Sequence, residues 1–136
     1  MTTTSTTPVQ NPARRLPFSP ANKIGLVLAG LLGAVDCIAL LTPTPPGEVG
    51  PPLAILVIDT LLGVVTLVAV VLAWRTRSRG LVRLAAGARI LSMITALPAF
   101  FAGVPAVVVA IVSVVVVLTV TAVVLMLLPA RRPLDA

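Results

Sequence analysis

Four apolar runs, each close to the length needed to cross a bilayer, decide what this chain can fold into. They are roughly Ile24 to Leu41, Leu53 to Trp74, Leu84 to Ala102 and Pro105 to Leu128. A hydrocarbon core of about 30 Å is crossed by a helix of about 20 apolar residues. Backbone in lipid must satisfy its own hydrogen bonds, so helices are the expected form. The expectation is an all-α protein, a four-transmembrane-helix bundle over residues 23–128 followed by a short tail at 129–136. Residues 1–22, "MTTTSTTPVQNPARRLPFSPAN", are rich in Thr and Pro and lack apolar periodicity, so they are read as a disordered cytoplasmic tail.

The first run is expected to stay in the protein as a span. It is longer than the apolar part of an ordinary signal peptide, and "LTPTPPGEVG" after it offers no A-x-A cleavage site. A lipoprotein signal fits poorly as well, because Asp36 stands before Cys37 where a small residue is expected.

Arginines set the orientation. Arg14, Arg15 and Lys23 precede span one, "RTRSRGLVR" joins spans two and three, and Arg131 and Arg132 follow span four. The other two connections, "TPTPPGEVGPP" and "GVP", hold no Lys or Arg. The positive-inside rule then gives two antiparallel hairpins with both termini cytoplasmic in a bacterial plasma membrane. Arg75, Arg77, Arg79 and Arg83 are expected to meet the headgroups of anionic lipids. Trp74 suits an interfacial anchor at the same end, Pro105 suits the first turn of span four, and Pro98 is expected to kink span three.

Composition narrows the chemistry. Hydrophobic residues make up 58% of the chain and charged residues 10%, so the net charge of +6 reports topology and lipid, and nucleic acid is not an expected partner. There is no His or Tyr and one Cys, which leaves no metal cluster, no cofactor ligand set and no nucleophile and base pair to expect. An enzyme is therefore not expected.

What remains is a set of polar residues inside the spans. A central Asp costs about 3 kcal/mol on insertion, while about ten Ile, Leu and Val residues in span one return about 3 to 6. The cost is better borne if the carboxyl faces protein. Gly25, Ala29, Gly33 and Asp36 share one helical face, and small residues on a face let another helix approach. Asp59, Gly63, Thr66 and Ala73 make a similar stripe in span two. Span three offers Ala85, Arg89, Ser92, Ala96, Ala99 and Gly103, and span four offers Ala106, Ala110, Ser113 and Thr121. Cys37 falls on another face from Asp36 and reads as a small apolar residue.

By residue count Asp36 and Asp59 share a depth, and Arg89 is offset from Asp36 by roughly 10 Å. Three readings stay open. Arg89 snorkels to the cytoplasmic headgroups while the aspartates are buried packing contacts, or Arg89 pairs with Asp36 and fixes the helix arrangement, or the acids line a proton or cation pathway.

Carried by "AWRTRSRGLVRLAAGARILS" and "LPAFFAGVPAVVVAIVSVVVVLTV", the chain resembles uncharacterised small four-span membrane proteins of GC-rich Gram-positive bacteria. The resemblance implies a topology and no activity. Small multidrug exporters also have four short spans and a membrane carboxylate in span one, but theirs is a glutamate accompanied by span aromatics. This chain has Asp36 and 3% aromatic residues. Holins share its size, but "RRPLDA" is too brief for their charged tail.

Two functions follow as expectations. One is an accessory or structural membrane protein that packs with itself as a homo-oligomer or with a partner membrane protein. The other is a proton- or cation-coupled small transporter acting as an oligomer, with Asp36 and Asp59 titrating.

Overall fold

The computed structural model describes residues 18–47, 50–101 and 103–129. Most of the N-terminal tail, Arg14, Arg15, Arg131, Arg132, Ala102 and nearly all of the C-terminal tail lie outside the described residues.

Four α-helices, each long and apolar enough to cross a membrane, make up the fold: α1 Pro20–Ala39, α2 Leu53–Thr76, α3 Arg79–Ala96 and α4 Ala106–Leu127. Two starts fall earlier than the apolar runs indicate. α1 begins at Pro20 because Ser19 and Asn22 form a capping box. The Asn22 N–H donates to Ser19 Oγ at 3.2 Å, and the Ser19 N–H donates to Asn22 Oδ1 at 3.2 Å. Pro20, in the first turn, sacrifices no hydrogen bond. Asn22 therefore belongs to the first helix and not to the tail.

α3 begins at Arg79 instead of near Leu84, which leaves only Arg77 and Ser78 to connect it to α2. Arg77 makes the turn in the left-handed region, φ 52°, with its N–H bonded to Ala73 O at 2.8 Å. This C-terminal stop is usually glycine's. The polar residues of "RSRGLVR" are good enough helix formers to extend α3 past the apolar boundary.

Prolines end elements here more than they bend them. The α-helical part of α3 stops at Ala96, and Pro98 sits in a single 3-10 turn, Leu97–Phe100, closed by the Phe101 N–H on Pro98 O at 3.0 Å. The expected kink is thus a change of helix type, since Pro98 has no N–H to give to the α ladder. Pro105 stands one residue earlier than expected, as the N-cap of α4, where its carbonyl accepts from Val108 and Val109.

Each helix packs on the next, α4 closes on α1, and α1 and α3 also touch, while α2 and α4 do not meet among the described residues. The cross-section is a flattened diamond with α1 and α3 on its short diagonal. Six of the nine residues of the main buried cluster are alanines: Ala29, Ala69, Ala73, Ala85, Ala86 and Ala122. Side chains this short bring backbones close and leave little interior space. Large apolar side chains point outward instead, including Leu31, Val68, Ile111 and Val117, as lipid-facing helices require.

Glycines set the closest approaches. A Cβ on Gly25 would lie 2.7 Å from the Met126 backbone nitrogen and 2.9 Å from Ala122 O, so this residue lets α4 in. Gly33, two turns further along, faces α2. The small-residue stripe of span one therefore serves two different neighbours. Span four departs from expectation altogether: Ala106, Ala110 and Thr121 are exposed, Ser113 is half-buried, and Thr119, Ala122 and Met126 are the buried residues.

Candidate functional site

The short diagonal of the bundle carries a charged and polar cluster to which every helix contributes. Its centre is Arg89, ten residues into α3 and only 1% exposed. Asp36 stands sixteen residues into α1, so along the bundle axis the two Cα positions differ by about 9 Å at about 1.5 Å per residue. The length of the arginine side chain spans that offset. Its Nη1 donates to Asp36 Oδ2 in the only salt bridge among the described residues. Arg89 is turned into the bundle.

The second nitrogen, Nη2, donates to Thr119 Oγ1 on α4 at 3.2 Å. Above Arg89 on the same face of α3 come Ser92 and Thr95, at three-residue steps that keep all three side chains together. Ser92 Oγ is 3.4 Å from Asp36 Oδ2 and 3.4 Å from Asp59 Oδ1, so one hydroxyl lies between the two carboxyls. Thr95 Oγ1 hydrogen-bonds Asp59 Oδ1 and lies 2.7 Å from Ser92 O. Behind Asp36, Thr60 on α2 donates to its own helix at Leu56 O, 2.8 Å, and approaches the Asp36 carbonyl at 3.4 Å.

Two features of this cluster matter chemically. Both acidic side chains among the described residues, Asp36 and Asp59, are in it, against one guanidinium. Two ionised carboxylates would leave the cluster with a net negative charge in a region where uncompensated charge is expensive. The hydrogen bonding is also incomplete: Arg89 Nε is buried and has no partner.

The expected site residues thus separate into groups. Asp36, Asp59, Arg89 and Ser92 come together. Gly25 and Ala29 are buried on α1, Gly25 against α4, and Gly33 and Gly63 meet at the crossing of α1 and α2. Ala96 and Ala99 are only half-buried, because the α-helix ends at Ala96 and the 3-10 turn rotates Ala99 off the face, and Gly103 is exposed in the following turn at φ 65°. Cys37 is half-buried with its Sγ toward α2, 4.0 Å from Thr60 O. Arg75, Arg77 and Arg83 are exposed and Arg79 is half-buried.

Thr95, Thr119 and Asn22 were not singled out from the sequence. Thr95 lies three residues beyond Ser92, a spacing that was available to be read. Asn22 Nδ2 donates to the carbonyls of Leu125, Met126 and Leu128 at 3.0, 2.9 and 3.0 Å, tying the start of α1 to the end of α4. Among the described residues no three potential metal-ligating side chains gather at one place. Comparison with protein-family models, curated proteins and solved structures gives no match.

Proposed function

We propose that this chain is a structural or accessory protein of a bacterial plasma membrane, built as two antiparallel hairpins with both termini cytoplasmic, that packs against a second copy or a partner membrane protein. The observation that carries the reading is the polar cluster drawing one or more side chains from each of the four helices. Lipid gives helices no hydrophobic reason to associate, so buried polar contacts and close small-residue packing select one arrangement. The first hairpin is supported by the pairing of position 30 with 70, 33 with 63 and 66, and 37 with 60. The orientation is supported by the arginines of "RTRSRGLVR" at one end and the uncharged "GVP" turn at the other. α4, apolar on every side and mostly exposed, supplies a surface for another helix.

The test is assembly and unfolding of Asp36→Leu, Arg89→Met and the double variant in lipid or mild detergent. Single variants that unfold and misassemble, with recovery in the double variant, support the reading. Singles indistinguishable from wild type sink it.

A second reading, a proton- or cation-coupled carrier acting as an oligomer, is favoured by one observation: two carboxyls meet at Ser92, and only one of them, Asp36, pairs with the guanidinium of the cluster. Such a cluster becomes neutral when it holds one proton or one monovalent cation. Flux through liposomes containing wild type, lost in Asp36→Asn and Asp59→Asn variants that still fold, would establish transport. Absence of flux from folded wild type would remove it.

A further inference from the structure

At the end of the bundle where α1 and α3 begin and α4 finishes, a cavity of about 120 Å³ opens between the three helices. Arg79 and Arg83 line it from α3, Asn22 lines it from α1, and Phe18, Val82, Met126 and Leu127 give it an apolar lining. We propose that this cavity holds the phosphate of one anionic phospholipid, with the lipid's apolar part against Phe18 and Leu127. The proposal rests on the reading that this end faces the cytoplasmic leaflet.

Four observations converge on an anion with an apolar body. Arg79 and Arg83 are four residues apart on one helix, so they share a face and repel each other. Neither has a carboxylate partner among the described residues. The first turn of α3 has no acidic residue, and Ser78 at its N-cap makes no side-chain hydrogen bond, so positive charge is gathered at a helix end that is already positive. An anion between the arginines relieves both conflicts, and paired guanidiniums suit phosphate oxygens.

The apolar lining argues for a lipid over a free ion, since inorganic phosphate has nothing to place against Phe18 and Leu127. Asn22, which also lines the cavity, ties α1 to α4 through its hydrogen bonds to α4 carbonyls and so fixes the spacing of two of its walls.

The experiment is native mass spectrometry of the full chain in detergent, supplied with phosphatidylglycerol or phosphatidylcholine. One retained phosphatidylglycerol, at least tenfold favoured over phosphatidylcholine, is expected for wild type. That occupancy should fall at least tenfold in R79Q/R83Q and stay unchanged in R75Q/R77Q, whose arginines lie outside the cavity. R83Q alone, at an exposed position, should lower it in the same direction.

Equal loss in the two double variants, or loss in neither, would overturn the site. Displacement of the lipid by millimolar inorganic phosphate would overturn the lipid assignment. Lipid absent from wild type but present on D135N would show that the chain's own C-terminal tail fills the cavity instead. Wild-type unfolding midpoints in R79Q/R83Q keep this result separate from the structural reading, which stands or falls on Asp36 and Arg89.

Discussion

Gly33 and Gly63 face each other where α1 crosses α2: a Cβ on Gly33 would lie 3.0 Å from Gly63 O, and one on Gly63 would lie 2.8 Å from Gly33 O. Each glycine makes room for the other's backbone. The same Cβ on Gly63 would lie 2.9 Å from Asp36 Cβ, so the crossing sets where the acid enters the cluster.

Gly63→Ala is therefore expected to push α2 off α1 and displace Asp36 from Arg89, with a destabilisation of about 1–3 kcal/mol as in overpacked cores. Gly87, beside which a Cβ would meet nothing within 4 Å, is the control. Denaturant unfolding in micelles reads the difference, and equal midpoints for Gly63→Ala and Gly87→Ala would show the crossing to be loose.

The salt bridge makes a second, quantitative prediction. Asp36→Leu strands the Arg89 guanidinium in the bundle and should cost about 3–5 kcal/mol, whereas Asp36→Leu with Arg89→Met should recover most of that loss. A double-mutant cycle on unfolding free energies measures the coupling. Additive losses would mean that the two residues act independently.

Asn22→Ala removes the link to α4 and the half of the capping box in which Asn22 Oδ1 accepts from the Ser19 N–H, while the N–H of residue 22 still reaches Ser19 Oγ. A loss of about 1–2 kcal/mol is expected from these contacts. Amide exchange should rise in the first turn of α1 and the last turn of α4 together. An increase confined to α1 would show that the cap matters and the link does not.

On α4, Ser113→Ala and Thr121→Val should change stability by no more than about 0.5 kcal/mol, because each hydroxyl bonds only to its own helix, at Val109 O and Val117 O. Thr119→Val, which removes the Arg89 partner on that helix, should cost more. Parity among the three would remove α4 from the cluster.

The sequence made some of this legible, and the reasons differ from residue to residue. Four spans are written in apolar run length, and the choice of Asp36, Asp59, Arg89 and Ser92 in rarity, because a charge among Leu and Val stands out. The packing face of α4 is not readable this way. In a run such as "VVVAIVSVVVVLTVTAVVLML" every face is apolar and small residues occur on several, so the neighbours decide that Thr119 and Ala122 turn inward. The starts of α1 and α3 were missed because hydropathy marks where a helix enters lipid. Capping and chain stiffness mark where it begins, and at Ser19 and Arg79 those points differ by several residues.

Asn22 also fixes an order of events. Its three carbonyl partners come 103 to 106 residues later in the chain, so during synthesis the Asn22 amide cannot reach them until the end of α4 is made. The ring of the four helices closes at the seam between α1 and α4. A chain cut before the last turn of α4 would lack the carbonyls that Asn22 uses, and the loss would be felt at the start of α1.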